Sequence, residues 1–261
     1  MKRILLSVEY DGTAYAGWQR QINGLAVQQV LEEALEKACG HPVTVTGASR
    51  TDAGVHALAQ AVHFDTDCSI PPDKFPFVLN NLLPADIRVH KGQEVPHDFH
   101  ARFLTAGKTY TYRIVNSRHG SALMRNTALH VPVPLDLAPM RAAVQTLIGT
   151  HDFAAFQASG GTAKTTVRTV HNASLVSEGS MITFTVSGNA FLYNMVRIIV
   201  GTLVEIGLGK RGTDAFQKAF VSLNRLDLGM TVPAHGLELT EVRYDPAAFA
   251  DPGSVRWHED P

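Results

Sequence analysis

The residues most capable of chemistry crowd the segment Gly47–His56. Small residues there allow the backbone to approach a ligand closely, and Arg50, Thr51 and Asp52 follow one another in a loop. A carboxylate in such a loop can act as a nucleophile or as a general base. An aspartate in a tight turn more often accepts hydrogen bonds from the local backbone. The spacing alone therefore supports a catalytic Asp52 and a structural Asp52 about equally.

Other sequence features give only weak indications of a metal-binding or a nucleotide-binding site. The histidines that invite a metal hypothesis are His97 with His100, and His56 with His63. No cysteine cluster and no HExxH motif accompanies them, and Cys39 and Cys68 stand alone, so we expect neither a metal nor a disulfide. The stretch Ser159-Gly160-Gly161 matches neither a phosphate-binding loop nor a dinucleotide fingerprint.

Composition limits the possible classes of protein. The 261 residues are 45% hydrophobic, enough for a large core, and no apolar run approaches the roughly 20 residues of a membrane span. The first ten residues turn polar too soon for a signal peptide, so we expect a cytoplasmic protein. Because Lys plus Arg (23) nearly equals Asp plus Glu (24), RNA binding would need a local basic patch. The candidates for that patch are Arg50, Lys108, Arg113, Arg118, Arg125, Lys164, Arg168, Arg197, Lys210 and Arg211.

Hydrophobic periodicity predicts a helix and two strands around the Asp52 loop. Apolar residues recur at helical spacing after Ala26, which predicts an amphipathic helix that ends at Gly40. Its outer face would carry Gln28, Glu32, Glu33, Glu36 and Lys37. Val43–Thr46 and Leu58–Phe64 resemble strands, so the Asp52 loop is expected to hang between two strands.

The rest of the chain continues in the same manner. Further strands are predicted at Ile4–Glu9, Ile87–Val89, Lys108–Asn116, Thr165–Val176, Met181–Val186 and Leu237–Arg243, and further helices at Pro72–Leu83, Leu137–Ile148 and Phe191–Ile206. Pairs of strands outnumber long crossovers, which favours an antiparallel α+β fold over a doubly wound parallel sheet. No linker-like segment separates the halves, so we expect them to share one sheet.

Several ordered motifs resemble those of the TruA family of tRNA pseudouridine synthases. The central one is Ala48–Ala57, followed by Gln60–Phe64. Further matches are Tyr10–Gly12, Gly17–Gln21, Asp98–Phe103, Lys108–Arg113, Asp152-Phe153, Asn189–Leu192, Asn194–Arg197 and Ala234–Leu237. The segment Ala158–Thr166 departs most from the family pattern, so the role of Lys164 stays open.

The resemblance implies a fold and a division of the chain. The pseudouridine-synthase fold has two ferredoxin- or RRM-like halves that share a mainly antiparallel central sheet, with helices on one side and an active-site cleft between the halves. We place the N-terminal half, with the aspartate loop, at residues 1–102. The C-terminal half follows at 103–245, and a tail at 246–261.

The resemblance also implies an active site. Asp52 corresponds to the family's essential aspartate, Tyr110 to a tyrosine that stacks near the target base, and Arg197 to an arginine that pairs with the aspartate. Arg50 corresponds to an arginine that holds RNA, and we add Thr51 and Arg20 as substrate-binding candidates. Arg197 lies in an apolar run, where an unpaired charge would be costly, which also favours pairing.

The implied reaction explains these residue types. Converting uridine to pseudouridine breaks the C1′–N1 bond and rejoins the base through C5, without redox change, so no cofactor is expected. Asp52 could add to C1′, abstract the 2′ proton or attack C6 of the base, and the sequence leaves all three open. By resemblance, the substrate is uridine at positions 38, 39 and 40 of the tRNA anticodon stem-loop, and the protein is a homodimer.

Two other functions fit parts of the sequence. A non-catalytic RNA-binding protein with RRM-like modules would use Tyr110, Phe64 and Trp18 for stacking. A hydrolase would use Asp52 with His56 or His63, although no nucleophile elbow accompanies them.

Overall fold

The computed structural model describes residues 1–249, in which strands and helices alternate along the chain. The strands are β1 Lys2–Tyr10, β2 Thr46–Gly47, β3 His56–Thr66, β4 Ile87–Val95, β5 Thr105–Asn116, β6 Leu129–Val131, β7 Gly149–Asp152, β8 Val167–Glu178, β9 Met181–Gly188 and β10 Leu237–Tyr244. The α-helices are α1 Val27–Cys39, α2 Phe75–Asn80, α3 Leu137–Gln145, α4 Met195–Gly207 and α5 Ala215–Ser222. The predicted α+β class with mainly antiparallel strands is confirmed.

The chain forms two compact units. One comprises Met1–Gly107 with the described chain from Leu239 to Phe249, and the other comprises Lys108–Glu238. The sequence-based division into halves, with limits at residues 102 and 245, differs from these limits and stays a prediction. Of the predicted tail, residues 250–261 lie outside the described residues.

The first unit is built on a sheet in the order β4-β1-β3-β10, with the short β2 beside β3. β1 runs antiparallel to both β3 and β4. Its residues Ile4, Leu5 and Leu6 are all fully buried, although successive side chains of a strand point to opposite faces. Both faces of β1 are therefore covered in its first half, which makes it a firm base for the loop before β3.

Helix α1 follows the sequence pattern closely, except on its polar face. It ends at Gly40, whose φ of 77° is the left-handed conformation that favours glycine at a helix end. Gln28 and Glu32 were predicted to lie outside, but they are only 7% and 8% exposed. Their amide and carboxylate groups are buried because they bond to the segment that follows the helix.

That segment also explains why the strand predicted at Val43–Thr46 is wrong over most of its length. The amide N–H of Val45 donates to the Glu32 carboxylate at 3.2 Å, and its carbonyl accepts from the Gln28 amide at 3.1 Å. Side chains of α1 thus occupy the backbone groups that a neighbouring strand would use. Only Thr46–Gly47 pairs with β3.

The helix predicted at Pro72–Leu83 is shorter and begins differently. A 3₁₀ turn at Pro72–Lys74 leads into α2, which ends at Asn80. After Asn80 the chain turns, with the N–H groups of Leu82 and Leu83 both donating to the Leu79 carbonyl at 2.9 and 2.8 Å, and Pro84 disfavours helical geometry at Leu83. Among the described residues, no helix combines the length and the apolar character that crossing a membrane requires.

The second unit carries an antiparallel sheet in the order β5-β9-β8-β7. Strand β7, helix α5 and β6, a short strand parallel to β5, were not predicted from the sequence. The helix predicted from Phe191 begins at Met195 instead, because Asn194 adopts a left-handed φ of 61°. Such a residue cannot continue a right-handed helix, so residues 191–194 form a separate turn.

Candidate active site

Asp52 lies at the first position of a tight turn and is half-buried. The N–H of Val55 donates to the Asp52 carbonyl at 3.1 Å, and Gly54 has a φ of 77°. A positive φ at the third position is the mark of a type II turn, which glycine favours. Gly54 therefore fixes the turn from which the Asp52 side chain projects.

Thr51, directly before Asp52, is anchored from two directions. Its hydroxyl lies 2.7 Å from the Tyr10 hydroxyl at the end of β1, and its carbonyl accepts from the Trp18 N–H at 3.1 Å. Gly17 packs so closely that a Cβ atom there would lie 2.7 Å from the same carbonyl oxygen. These contacts hold the backbone on the amino-terminal side of the carboxylate.

Gln60 of β3 holds the loop two residues further back. Its side chain is fully buried and accepts from the Ser49 N–H at 3.1 Å while donating to the Ser49 carbonyl at 2.7 Å. The amide thus pairs with the backbone of the loop as a neighbouring strand would. These two hydrogen bonds fix the backbone that leads into Arg50.

His56 closes the carboxyl-terminal side of the loop. Its Nδ1 accepts from the Gly12 N–H at 3.0 Å and also lies 3.1 Å from the Asp11 carboxylate. Nδ1 cannot serve both at once, because an Nδ1 without a proton accepts from Gly12, whereas an Nδ1 that carries a proton donates to the Asp11 carboxylate. Burial raises the pKa of Asp11, but hydrogen bonds from Thr13 and the interaction with His56 outweigh burial and hold that pKa below its usual value.

The remaining candidates in the first unit differ in environment. Arg50 is exposed, while Thr51 is only 8% exposed because Tyr10 and Trp18 cover it. Arg20 is exposed and forms an ion pair with Glu32 at 3.0 Å. Thr51 is therefore part of the packed support of the Asp52 loop, and Arg20 is paired with helix α1.

Tyr110 and Arg197 belong to the second unit. Tyr110, on β5, is 7% exposed and meets Phe191 edge to face with ring centroids 5.0 Å apart. Arg197, in the first turn of α4, donates from Nε to the Val232 carbonyl at 2.8 Å and from Nη1 to the Asn194 side chain at 2.7 Å. Each side chain is thus held in a defined orientation within its own unit.

Metal ligation finds no support in residues 1–249, where no group of three or more histidine, cysteine or acidic side chains is placed to hold an ion. His56 and His63 each use Nδ1 to accept a backbone N–H, from Gly12 and Ala101 respectively. Cys39 and Cys68 are free thiols. The paired histidines therefore have structural partners.

The supporting roles of Tyr10, Gln60 and Gly17 were not predicted from the sequence. Tyr10 and Gly17 stand in motifs that carry the family resemblance, and Gln60 follows the central motif. Their functions depend on contacts with the loop from other strands and turns, which no local spacing displays. The sequence did offer one signal for such a role, which is the presence of a glutamine, Gln60, among apolar strand residues.

Comparisons with known proteins agree with the motifs. A profile described as "tRNA pseudouridine synthase" matches residues 6–104 and 143–245. A protein named tRNA pseudouridine synthase A from Ruminiclostridium cellulolyticum is 50% identical over 245 residues, covering 94% of this chain and 100% of that protein. One of the same name from Acetivibrio thermocellus is 48% identical over 244 residues, with the same coverage of both chains. The solved archaeal box H/ACA sRNP Nop10-Cbf5 complex shares 13% identity at a TM-score of 0.39, covering 94% of this chain and 49% of that chain, too distant to inform the function.

Proposed function

The chain belongs to the tRNA pseudouridine synthase family, and we propose that it isomerises uridine at positions 38, 39 and 40 of the tRNA anticodon stem-loop, with Asp52 as its catalytic residue. The enzyme class is that of the family, an isomerase that makes pseudouridine in tRNA. The positions, the catalytic residue and the absence of a cofactor are parts of the proposal.

The observation that carries the proposal is the support of Asp52. The residue before it is anchored to Tyr10 and Trp18, and the turn after it is set by Gly54. A carboxylate on a backbone fixed at both sides loses little freedom when it engages a substrate. This arrangement suits a nucleophile or a base whose position relative to one ribose must be accurate.

The reaction places definite demands on Asp52. The C1′–N1 bond breaks, the uracil turns, a C1′–C5 bond forms, and the C5 proton is lost while N1 gains one, so atoms and charge balance without an external reagent. An ionised carboxylate serves each of the three routes, by attack at C1′, by removal of the 2′ proton or by addition to C6. Product analysis with tRNA that contains 5-fluorouridine distinguishes them.

Other residues receive roles by resemblance within the same proposal. Arg197 pairs with the catalytic carboxylate, and Tyr110 stacks on the target uracil and can help to remove the C5 proton. The bonds from Arg197 to Val232 and Asn194 support this role, because they leave a defined orientation to the guanidinium. Arg50, Thr51 and Arg20 are proposed to bind the substrate.

Asp52→Asn tests the proposal directly. The amide keeps the shape of the side chain but removes its charge and basicity, so we expect pseudouridine formation in tRNA to be abolished and tRNA affinity to stay within about threefold. Asp73→Asn, which changes an exposed carboxylate beside Lys74, is the matched control and should remain active. Pseudouridines are mapped in anticodon-arm tRNA after incubation with purified protein and no added cofactor.

The outcomes separate the candidate functions. Full activity of Asp52→Asn would overturn the catalytic assignment. Tight tRNA binding without any product from the wild-type protein would favour the non-catalytic RNA-binding alternative.

The proposal extends to assembly and location. A homodimer would combine two modest basic patches into one surface of tRNA size, which suits a chain with a net charge of −1. Sedimentation that shows only a monomer would remove this part. A protein that acts on tRNA in this way is proposed to be cytoplasmic.

A further inference from the structure

The turn between β4 and β5 exposes two large apolar side chains, Phe103 and Leu104. Arg102, Phe103 and Leu104 follow one another there, and Phe103 is 76% exposed. A single exposed apolar residue is common and needs no explanation by itself. This turn differs from an ordinary exposed loop because buried side chains hold its backbone in place.

Buried side chains fix the backbone of the turn at Ala101. Its N–H donates to Nδ1 of His63 at 3.1 Å, and its carbonyl accepts from the Tyr244 hydroxyl at 2.6 Å. Arg3 adds hydrogen bonds to the carbonyls of His97 and Phe99 at 2.5 and 2.8 Å. The exposed residues therefore stand on a fixed base.

The ring of Phe103 is itself oriented by a neighbour. It stacks on His100 with ring centroids 4.2 Å apart and an interplanar angle of 28°. Nδ1 of His100 accepts from the N–H groups of Arg102 and Phe103 at 3.2 and 3.3 Å, which locks the imidazole under the ring. One face of Phe103 is thus supported while most of the side chain remains open to solvent.

A pair of cations completes this surface. Although Arg102 is exposed, partial burial of its guanidinium lowers its pKa, and the charge of Arg50 lowers that pKa further. Within residues 1–249 neither guanidinium has a carboxylate partner. A guanidinium without a carboxylate partner suits a phosphate, which its planar group binds through two N–H groups.

We propose that Arg50, Arg102, Phe103 and His100 form an RNA platform, in which the arginines hold a backbone phosphate of the tRNA and Phe103 stacks on an unpaired base. Aromatic faces that bear bases beside positive charge are the usual means of holding single-stranded RNA. The platform rests on the proposed function for its ligand, since the tRNA is the substrate. It adds Arg102 and Phe103 to the residues that bind this substrate.

Phe103→Ala and Arg102→Ala are the decisive variants, and tRNA affinity is the first measurement. We expect Phe103→Ala to weaken binding by about 5- to 100-fold, the usual range for one stacked base, and Phe103→Trp to restore it. Arg102→Ala should weaken binding and reduce the slope of log Kd against log salt by about one.

Phe77→Ala is the matched control, because Phe77 is 68% exposed and has the Lys74 ammonium 5.5 Å from its ring centroid. It should leave affinity unchanged, and an equal loss in this variant would overturn the platform. Thermal unfolding of each variant, together with the Phe103→Trp rescue, distinguishes loss of the contact with tRNA from unfolding of the variant protein.

The remaining outcomes keep the two proposals apart. An active enzyme whose Phe103→Ala and Arg102→Ala variants bind tRNA normally would overturn the platform alone. Weakened tRNA binding by these variants of a protein that makes no pseudouridine would support the platform and overturn the proposed function. Loss of dimers by Phe103→Ala in sedimentation would identify the surface as a subunit interface and overturn the platform.

Discussion

Gly17 lies against the backbone of Thr51, so closely that a Cβ atom at Gly17 would stand 2.7 Å from the Thr51 carbonyl oxygen. Gly17 also has a φ of 95°, which an L-residue rarely adopts. Gly17→Ala must therefore shift the loop or the glycine, and we expect a loss of about 1 to 3 kcal/mol in stability. Because the shifted backbone adjoins Asp52, activity per folded molecule should fall at least about tenfold. Single-turnover assays on variant protein of known folded fraction measure this.

Gly40→Ala provides the control for backbone strain. Gly40 has a similar φ of 77°, but a Cβ atom there would meet nothing within 4 Å. This variant should lose about 1 kcal/mol of stability and keep its activity per folded molecule. If the two variants are equally active, the contact between Gly17 and Thr51 has no part in placing Asp52.

Gln60 supports the same loop through a different kind of contact. Gln60→Leu preserves much of the buried volume but removes both hydrogen bonds to Ser49, so we expect about 2 kcal/mol or more of lost stability. Gln29→Leu serves as the control, since the Gln29 amide donates to Glu33 on the surface of α1 at 3.0 Å. Urea unfolding compares the variants, and equal stabilities would show that Ser49 finds other partners at no cost.

The elements that sequence periodicity predicts well are those whose partners are local. Helix α1 ends at Gly40 as expected, because helical spacing and a glycine stop are visible within a few residues. The strand predicted at Val43–Thr46 failed since Gln28 and Glu32, far back in the chain, take its backbone groups. The start of α4 was missed because Asn194 adopts a conformation that its residue type only sometimes favours.

The loop around Asp52 shows the same division. Its residue types and its position before a strand were evident from sequence, and Gly54 was available as a turn residue. Its anchoring to Tyr10 and Gln60 was not, because those bonds join residues about 41 and 11 positions apart. Local spacing therefore offered the loop as a candidate and the family resemblance selected it, whereas the rigidity of the loop is a property of tertiary contacts.

His63 makes the stability of the first unit sensitive to acid. Burial, with the charges of Arg3 and His100, lowers its pKa from 6.5 to about 4. Between those values the unfolded chain binds a proton that the folded protein does not, so stability is complete above pH 6.5 and falls as the pH drops toward 4. The expected loss between pH 7.5 and 4.5 is about 2 to 3 kcal/mol, from about 1.4 kcal/mol per pKa unit.

His63→Asn tests this assignment, because an asparagine oxygen can still accept from the Ala101 N–H but does not titrate. Urea unfolding at pH 7.5 and pH 4.5 should show a smaller fall in stability for the variant, by about 2 kcal/mol. Ala101 carries the backbone beneath Phe103, so tRNA affinity of the wild-type protein should also weaken toward pH 4.5 more than that of His63→Asn. Parallel pH profiles of the two proteins would show that His63 titrates alike in the folded and unfolded chains.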